Sequence, residues 1–205
     1  MNITIIGAGN VGSTLAVAFR KAGHSVIFGV KDPAIHFKGK DLADQFSFPY
    51  FSVKEAVEKS EVIVLSIPAQ FVAEVAKDLG DVTNKIIIDT MNAVFMKPEG
   101  FTNTADAILA HCNTADVVKC FNSTGFENLA NPIYSGQGID MFVAGSSTKA
   151  KQVAIQLATD IGFANCYNFG GNDTFFALEQ FAFAWINLAI IQKQGRDIAF
   201  KLIKR

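Results

Sequence analysis

Cysteine is scarce in this 205-residue chain and forms no pattern. Cys112, Cys120 and Cys166 are odd in number and scattered, and no pair has metal-ligand or redox spacing. That excludes a disulfide framework and predicts a reduced, cytoplasmic protein. Cys120, inside Val117-Val118-Lys119-Cys120-Phe121, reads as a small core residue. Net charge is also nearly absent: 18 Lys and Arg face 19 Asp and Glu. The balance gives no electrostatic basis for binding nucleic acid or an anionic membrane. The three histidines lie far apart, and His24, just after Gly23, suits a helix C-terminus. No nucleophile triad, metal constellation or paired carboxylates stand out. No apolar stretch reads as long enough to span a bilayer, because Gln192-Lys193-Gln194 interrupts the run over residues 182–191. A strand that starts at Asn2 predicts no secretory leader in the sequence.

What is abundant is apolar: half of the residues are hydrophobic and 19 are phenylalanine. Some of that surface is expected to close a cofactor cleft or an oligomer interface. The length allows one α/β domain with a small extra unit.

The most informative stretch is the first. Asn2-Ile3-Thr4-Ile5-Ile6 reads as a buried parallel strand, and Gly7-Ala8-Gly9-Asn10-Val11-Gly12 follows in GxGxxG spacing. Ser13 to Arg20 then continue as a helix, and a second strand begins at Ser25. Each glycine has a mechanical role. Gly7 turns the chain off the strand, Gly9 leaves room for a pyrophosphate, and Gly12 lets the helix pack on the sheet. The free amides of the helix's first turn and its dipole favour phosphate there. At the tip of the second strand stand Gly29, Val30 and Lys31. A cation and small groups at this corner admit a 2′-phosphate, whereas an acid would favour NAD; Asp32 lies a step too far. NADP is therefore expected, with NAD open.

Further along, Lys38-Gly39-Lys40-Asp41 reads as loop and Leu42-Ala43-Asp44-Gln45 as a helical turn. Phe46, Phe48, Tyr50 and Phe51 alternate toward a short edge strand. Ser52-Val53-Lys54-Glu55 is a capping-box pattern opening a short helix through Val57. Strands are expected over residues 62–67, 85–90 and 116–121, and helices over 69–79 and 104–109. Residues 140–145 and 164–168 read as two short strands flanking a helix over 149–161. After Gly170-Gly171-Asn172 the chain reads as helical to its end, broken only around Gly195-Arg196. Its aromatic face carries Phe175, Phe176, Phe181, Phe183 and Trp185. The alternation predicts an α/β fold, a Rossmann doubly wound and mostly parallel sheet with a small C-terminal α/β-helical lid. The expected division is 1–135 for the dinucleotide-binding domain and 136–205 for the extension. In such a sheet ligands sit beyond the strand ends. Ile67 and Pro68 are placed against the adenosine half. Asn92 and Asn122, with Ser123 beside them, are placed against the nicotinamide half or are simply turn residues. Lys119 either polarises a partner's carbonyl or anchors the strand end, and the structural role is favoured.

The glycine motif, the Ile67-Pro68 turn, Val117-Val118-Lys119-Cys120-Phe121-Asn122-Ser123-Thr124-Gly125 and the tail Gly195-Arg196-Asp197-Ile198 resemble the NADP oxidoreductase, coenzyme F-420-dependent family. The reductase domain of the STEAP metalloreductases shares the lysine-x-phenylalanine-asparagine segment. The resemblance covers essentially the whole chain. It implies hydride transfer between NADP(H) and a deazaflavin on a Rossmann domain with a small C-terminal lid, often in a homodimer. It places the phosphate loop on Gly7, Gly9, Asn10, Val11 and Gly12, and the ribose-phosphate corner on Gly29, Val30 and Lys31. This chain has Val30-Lys31 where the family commonly has serine and arginine. Valine cannot donate to a phosphate and lysine lacks arginine's bidentate fork. The lid turn also lacks the family's usual proline.

The expected function is thus an NADP-dependent oxidoreductase acting on a small-molecule redox acceptor, a flavin or deazaflavin. Such a transfer needs no nucleophile and little general acid–base help, and the protein supplies orientation and water exclusion. The alternatives are reduction of a small carbonyl or imine and a non-catalytic, redox-sensing NADP-binding module.

Overall fold

The computed structural model describes residues 1–32 and 45–205. The loop and helical turn expected over 38–45 lie outside the described residues, except Gln45. The chain opens with β1 (Asn2–Ile6), α1 (Asn10–Lys21) and β2 (Ser25–Val30), followed by β3 (Tyr50–Ser52) and α2 (Val53–Glu58). Next come β4 (Val62–Leu65), a 3-10 turn (Ala69–Phe71) leading into α3 (Val72–Asp78), β5 (Ile86–Asp89), α4 (Thr104–His111) and β6 (Val117–Lys119). These six strands pair in parallel in the order β3-β2-β1-β4-β5-β6. Strands β4 and β5 are buried at every residue, as strands covered on both faces must be. The connections run outward from β1 in both directions. The topological switch therefore lies between β1 and β4, with a crevice at their carboxyl ends.

Local chemistry explains the turns. The Glu55 carboxylate accepts from the Ser52 amide at 3.1 Å and from the Ser52 hydroxyl at 2.6 Å, fixing the start of α2. Those two contacts hold the Glu55 carboxyl below its ordinary range. Phe46 and Phe48 precede β3 rather than forming it; Phe48 packs edge-on against Phe28 at 5.4 Å.

Beyond β6 the sheet continues. After α5 (Phe126–Ala130) and a small hairpin of β7 (Ile133–Tyr134) with β8 (Gln137–Gly138), β9 (Asp140–Ala144) pairs antiparallel with β6. Then α6 (Thr148–Asp160) leads to β10 (Asn165–Gly170), parallel to β9 at the outer edge. The β7–β8 hairpin was absent from the sequence reading. So was the close approach of Cys166 to Cys120, whose thiol burial and Cys166 together raise well above the ordinary value.

The C-terminal segment departs from the expected helix. A 3-10 turn leads into α7 (Phe175–Ile186), a π-helical turn closes it at Asn187–Ile191, and residues 192–205 have no regular structure. The tail instead crosses the loops as a strap. The Ile198 carbonyl accepts from Trp185 Nε1 at 2.7 Å and from Asn128 Nδ2 at 2.8 Å, and the Leu202 amide donates to Asp140 Oδ2 at 2.7 Å. Arg196 meets Glu127 at 2.5 Å and lies over the Phe126 and Trp185 rings. The stretch Asn172–Ile191, contrary to the sequence expectation, is long and apolar enough to cross a membrane by length and composition. Its Phe175, Leu178, Ala182 and Trp185 are buried in the fold.

Candidate dinucleotide site

The β1–α1 turn separates the roles of its three glycines by geometry. Gly7 has φ +98°, and a Cβ there would lie 2.3 Å from the Ser66 carbonyl. Gly12 is helical, and its Cβ would meet the Gly7 carbonyl at 2.1 Å. Both positions exclude a side chain because backbone already fills the space. At Gly9 an added Cβ would touch nothing within 4 Å. The room at Gly9 faces a cavity of about 360 Å³ shared with Asn10, Val11, Ser66, Pro68 and Asn92. No acidic side chain stands in the first turn of α1, so its amides face the cleft without a carboxylate competitor. A pyrophosphate fits this cradle.

A second cavity, of about 320 Å³, lies against the end of β2 and contains Gly7, Ala8, Gly29, Val30, Lys31 and Asp32. Ile67 lines both cavities, so they adjoin along the strand ends. Val53, Val75 and Ile67 give the β2 side apolar walls suited to a flat base. Gly29 is also a packing glycine: a Cβ there would lie 2.4 Å from Ile6 Cδ1. Val30 is buried, whereas the Lys31 side chain is 96% exposed, with its Nζ 3.9 Å from Glu74.

At the other end the asparagines come together. Asn92 Nδ2 donates to the Asn122 carbonyl at 2.8 Å, and Asn122 Nδ2 donates to Asn92 Oδ1 at 2.9 Å. Asn92 lines the cleft; Asn122 is buried behind it, and its own Oδ1 has no hydrogen-bond partner. Phe121, just before it, sits at φ +62°, a left-handed conformation rare for a bulky residue and typical of functional loops. Ser123 is placed otherwise than expected. It is buried, its hydroxyl faces the Met141 sulfur at 3.6 Å, and it lines neither cavity. The left-handed Phe121 precedes this turn, and the Ser123 side chain meets β9 rather than the cleft.

Lys119 cannot reach a carbonyl in the cleft. It is fully buried, with Nζ 2.6 Å from Asp89 Oδ2, 2.9 Å from the Met91 carbonyl, 2.8 Å from Thr104 Oγ1 and 2.9 Å from Glu179 Oε1. Burial pushes the Asp89 carboxyl above its ordinary range despite the Lys119 charge beside it. Asp89 and Glu179 were not singled out from the sequence. The available signal was an acid closing the run Ile86-Ile87-Ile88 and another inside an otherwise apolar helix. Such charges are rarely buried unless paired. Among the described residues no group of three or more His, Cys, Asp or Glu could hold a metal ion.

Residues 2–93 match the NADP oxidoreductase, coenzyme F420-dependent family. That family segment runs from β1 to just past Asn92, so it contains the glycine cradle, the β2 corner and the Ile67-Pro68 turn. The lysine-x-phenylalanine-asparagine segment lies beyond it. Among curated proteins, a glycerol-3-phosphate dehydrogenase [NAD(P)+] of Thermoanaerobacter sp. (strain X514) is 28% identical over 99 residues, 43% of this chain and 30% of that protein. The chain thus spans about a third of the length of this curated relative. Among solved structures, a presumed F420-dependent NADP reductase from Arthrobacter sp. FB24 superimposes with a TM-score of 0.83 at 22% identity, covering 100% of both chains. An imine reductase variant from Myxococcus stipitatus, solved with NAD+, gives 0.64 at 17% identity over 94% of this chain and 62% of its own. The family and these relatives are NAD(P)-dependent oxidoreductases, and the shared fold is the Rossmann type.

Proposed function

We propose that this protein is an NADP-dependent oxidoreductase that transfers a hydride between NADP(H) and a flat, flavin- or deazaflavin-like acceptor. The observation that carries the reading is the open cradle at Gly9. It lies at the start of α1, in the cavity that Asn92 lines and beside the one that Lys31 lines. The family match over that segment supports the same coenzyme. The bound nicotinamide would supply the hydride chemistry. The chain's own residues bind and orient: the α1 amides hold phosphate, Lys31 meets a 2′-phosphate, and Asn92, braced by Asn122, offers its side-chain amide to a carboxamide. The exposed Phe95 (69%) and Met96 (56%) beyond β5 offer an apolar wall to an aromatic ring system. A further part of the proposal is a homodimer in the cytoplasm. Half-exposed Ile190 and Ile191 support self-association, and the free cysteines support a reducing compartment.

The test is turnover of the purified chain with NADPH against a deazaflavin, FMN, a keto acid and a cyclic imine, with NADH in parallel. Faster reduction of the deazaflavin or flavin supports the proposal. A preferred keto acid or imine replaces it with a carbonyl or imine reductase. Coenzyme binding with no turnover leaves a sensing module. Light scattering reads the oligomeric state.

A further inference from the structure

The family match ends at residue 93, and α7 lies outside it, yet α7 is wired into the coenzyme end of the cleft from behind. Resting on the dinucleotide reading above, we propose that the buried Lys119–Asp89–Glu179 cluster is a positioning device for the nicotinamide half of the coenzyme, with Glu179 as the positioning residue contributed by α7.

The contacts converge on one short segment. Asp89 Oδ1 accepts from the Met91 amide at 2.8 Å, Lys119 donates to the Met91 carbonyl at 2.9 Å, and Glu179 Oε2 accepts from the Ala93 amide at 3.0 Å. Backbone on both sides of Asn92 is thereby held by ionised or ionisable side chains, while the Asn92 side chain pairs with Asn122 and lines the cleft. The remaining contacts fix the device itself. Thr104, at the start of α4, donates its hydroxyl to Asp89 Oδ2 at 2.5 Å, and its amide donates to Glu179 Oε1 at 3.3 Å. One cation and two carboxylates are thus gathered where all three side chains are at most 1% exposed. A buried ionic cluster whose only task is to hold a sheet together can often be replaced by well-packed apolar residues at no cost or with gain. What an apolar replacement could not do is hold two amides and a carbonyl around Asn92 in one geometry.

The experiment uses the full chain with Glu179→Gln. The amide has one acceptor oxygen where the carboxylate has two, so the ties to Lys119 and to the Ala93 amide cannot both be kept. Three readouts are compared with wild type: the Kd for NADPH, the Kd for adenosine 2′,5′-bisphosphate, and hydrogen exchange over residues 91–95. The expected result is a roughly tenfold weaker NADPH Kd, the scale on which loss of an orienting partner is felt. The adenosine bisphosphate Kd stays unchanged and exchange over 91–95 quickens. Unchanged NADPH binding, or equal weakening of coenzyme and fragment, overturns the proposal. If Glu179→Gln does not fold, Asp89→Asn takes its place with the same expectations, since its single amide oxygen cannot serve both the Met91 amide and the Lys119 ammonium. Failure of both variants to fold assigns the cluster to the fold alone and also overturns it. Wild type that binds neither NADPH nor the fragment refutes the dinucleotide reading itself, which is a different outcome.

Discussion

Gly9 and Gly12 stand three residues apart in one motif, yet alanine at each should fail in opposite ways. At Gly9 the backbone is extended, φ −77° and ψ −171°, which alanine adopts freely, and the new Cβ meets no protein atom within 4 Å. Two small effects oppose each other. Alanine lowers the entropy of the unfolded chain, worth about 0.4–1 kcal/mol, but is a poorer helix N-cap than glycine by a similar amount. Gly9→Ala should therefore melt within about 3 °C of wild type, at roughly 2–4 °C per kcal/mol for a chain of this size. At Gly12 the Cβ would sit 2.1 Å from the Gly7 carbonyl, so α1 must lift off β1. Overpacking of this kind costs about 1–3 kcal/mol or more, a loss of about 3–10 °C. Coenzyme then separates the two again. NADPH at a hundred times its Kd stabilises wild type by about 2.7 kcal/mol, a rise of about 5–10 °C. If the Gly9 methyl occupies the pyrophosphate's place and weakens binding a hundredfold, the same concentration gives only about 0.4 kcal/mol, near 1 °C. Thermal melts of the three proteins with and without NADPH decide it. A full coenzyme shift in Gly9→Ala would refute the reasoning, because the phosphates would then lie elsewhere.

Three more outcomes follow from single contacts. Lys31→Ala removes an exposed cation, so NADPH should bind about fivefold more weakly while NADH is unaffected, the scale of a solvent-screened charged contact; equal effects on both, measured by titration, would count against a 2′-phosphate at Lys31. Asp81 accepts from the Thr83 amide and from Asn113 Nδ2, which lowers its pKa from 3.8 to about 2. A carboxyl depressed on folding adds stability above its unfolded pKa, and that share is lost as pH falls through the folded value. Melting temperature between about pH 4 and pH 2 should thus fall more steeply in wild type than in Asp81→Asn. Arg196→Ala removes the Glu127 pair and the stacking on Phe126 and Trp185, about 1–2 kcal/mol and a few degrees of melting temperature. Arg196→Lys should recover only part of this, because the ammonium cannot reproduce the planar stack.

Legibility from sequence tracked how local each determinant was. Gly7 and Gly12 were readable because their spacing encodes a steric requirement within one turn. The Ser52–Glu55 cap was readable for the same reason. Strands such as Ile86–Asp89 were evident as apolar runs too uniform to have a wet face. The tail was misread because the apolar residues 182–191 favour continuing a helix. What holds the tail instead is a set of bonds to Asp140, Asn128 and Trp185, distant in sequence and without local pattern. Lys119 offered two roles until its partners were seen. Asp89 lies 30 residues before it and Glu179 another 60 beyond, on elements that only the fold brings together. Ser123 faces the Met141 sulfur, a contact 18 residues away in sequence that leaves no local pattern.

The reversal of direction at β9 divides the molecule's working edge into two kinds of chain. Alongside the cleft, that edge is made by turns that follow strands. Beside Asn122 and Ser123 it is made by chain that precedes strands, since Ser123 meets Met141 near the start of β9 and Ala164, just before β10, bonds to the Ile139 carbonyl. The tail completes the same wall where the Asp140 amide meets the Phe200 carbonyl. These approach segments, roughly 125–139, 162–164 and 196–202, share no turn with the phosphate cradle. Their inward side chains are core: Leu129, Ile139 and Phe163 are each at most 5% exposed. On the proposed reading, the wall beside the acceptor and the loop that holds the phosphates are therefore made by separate segments of the chain.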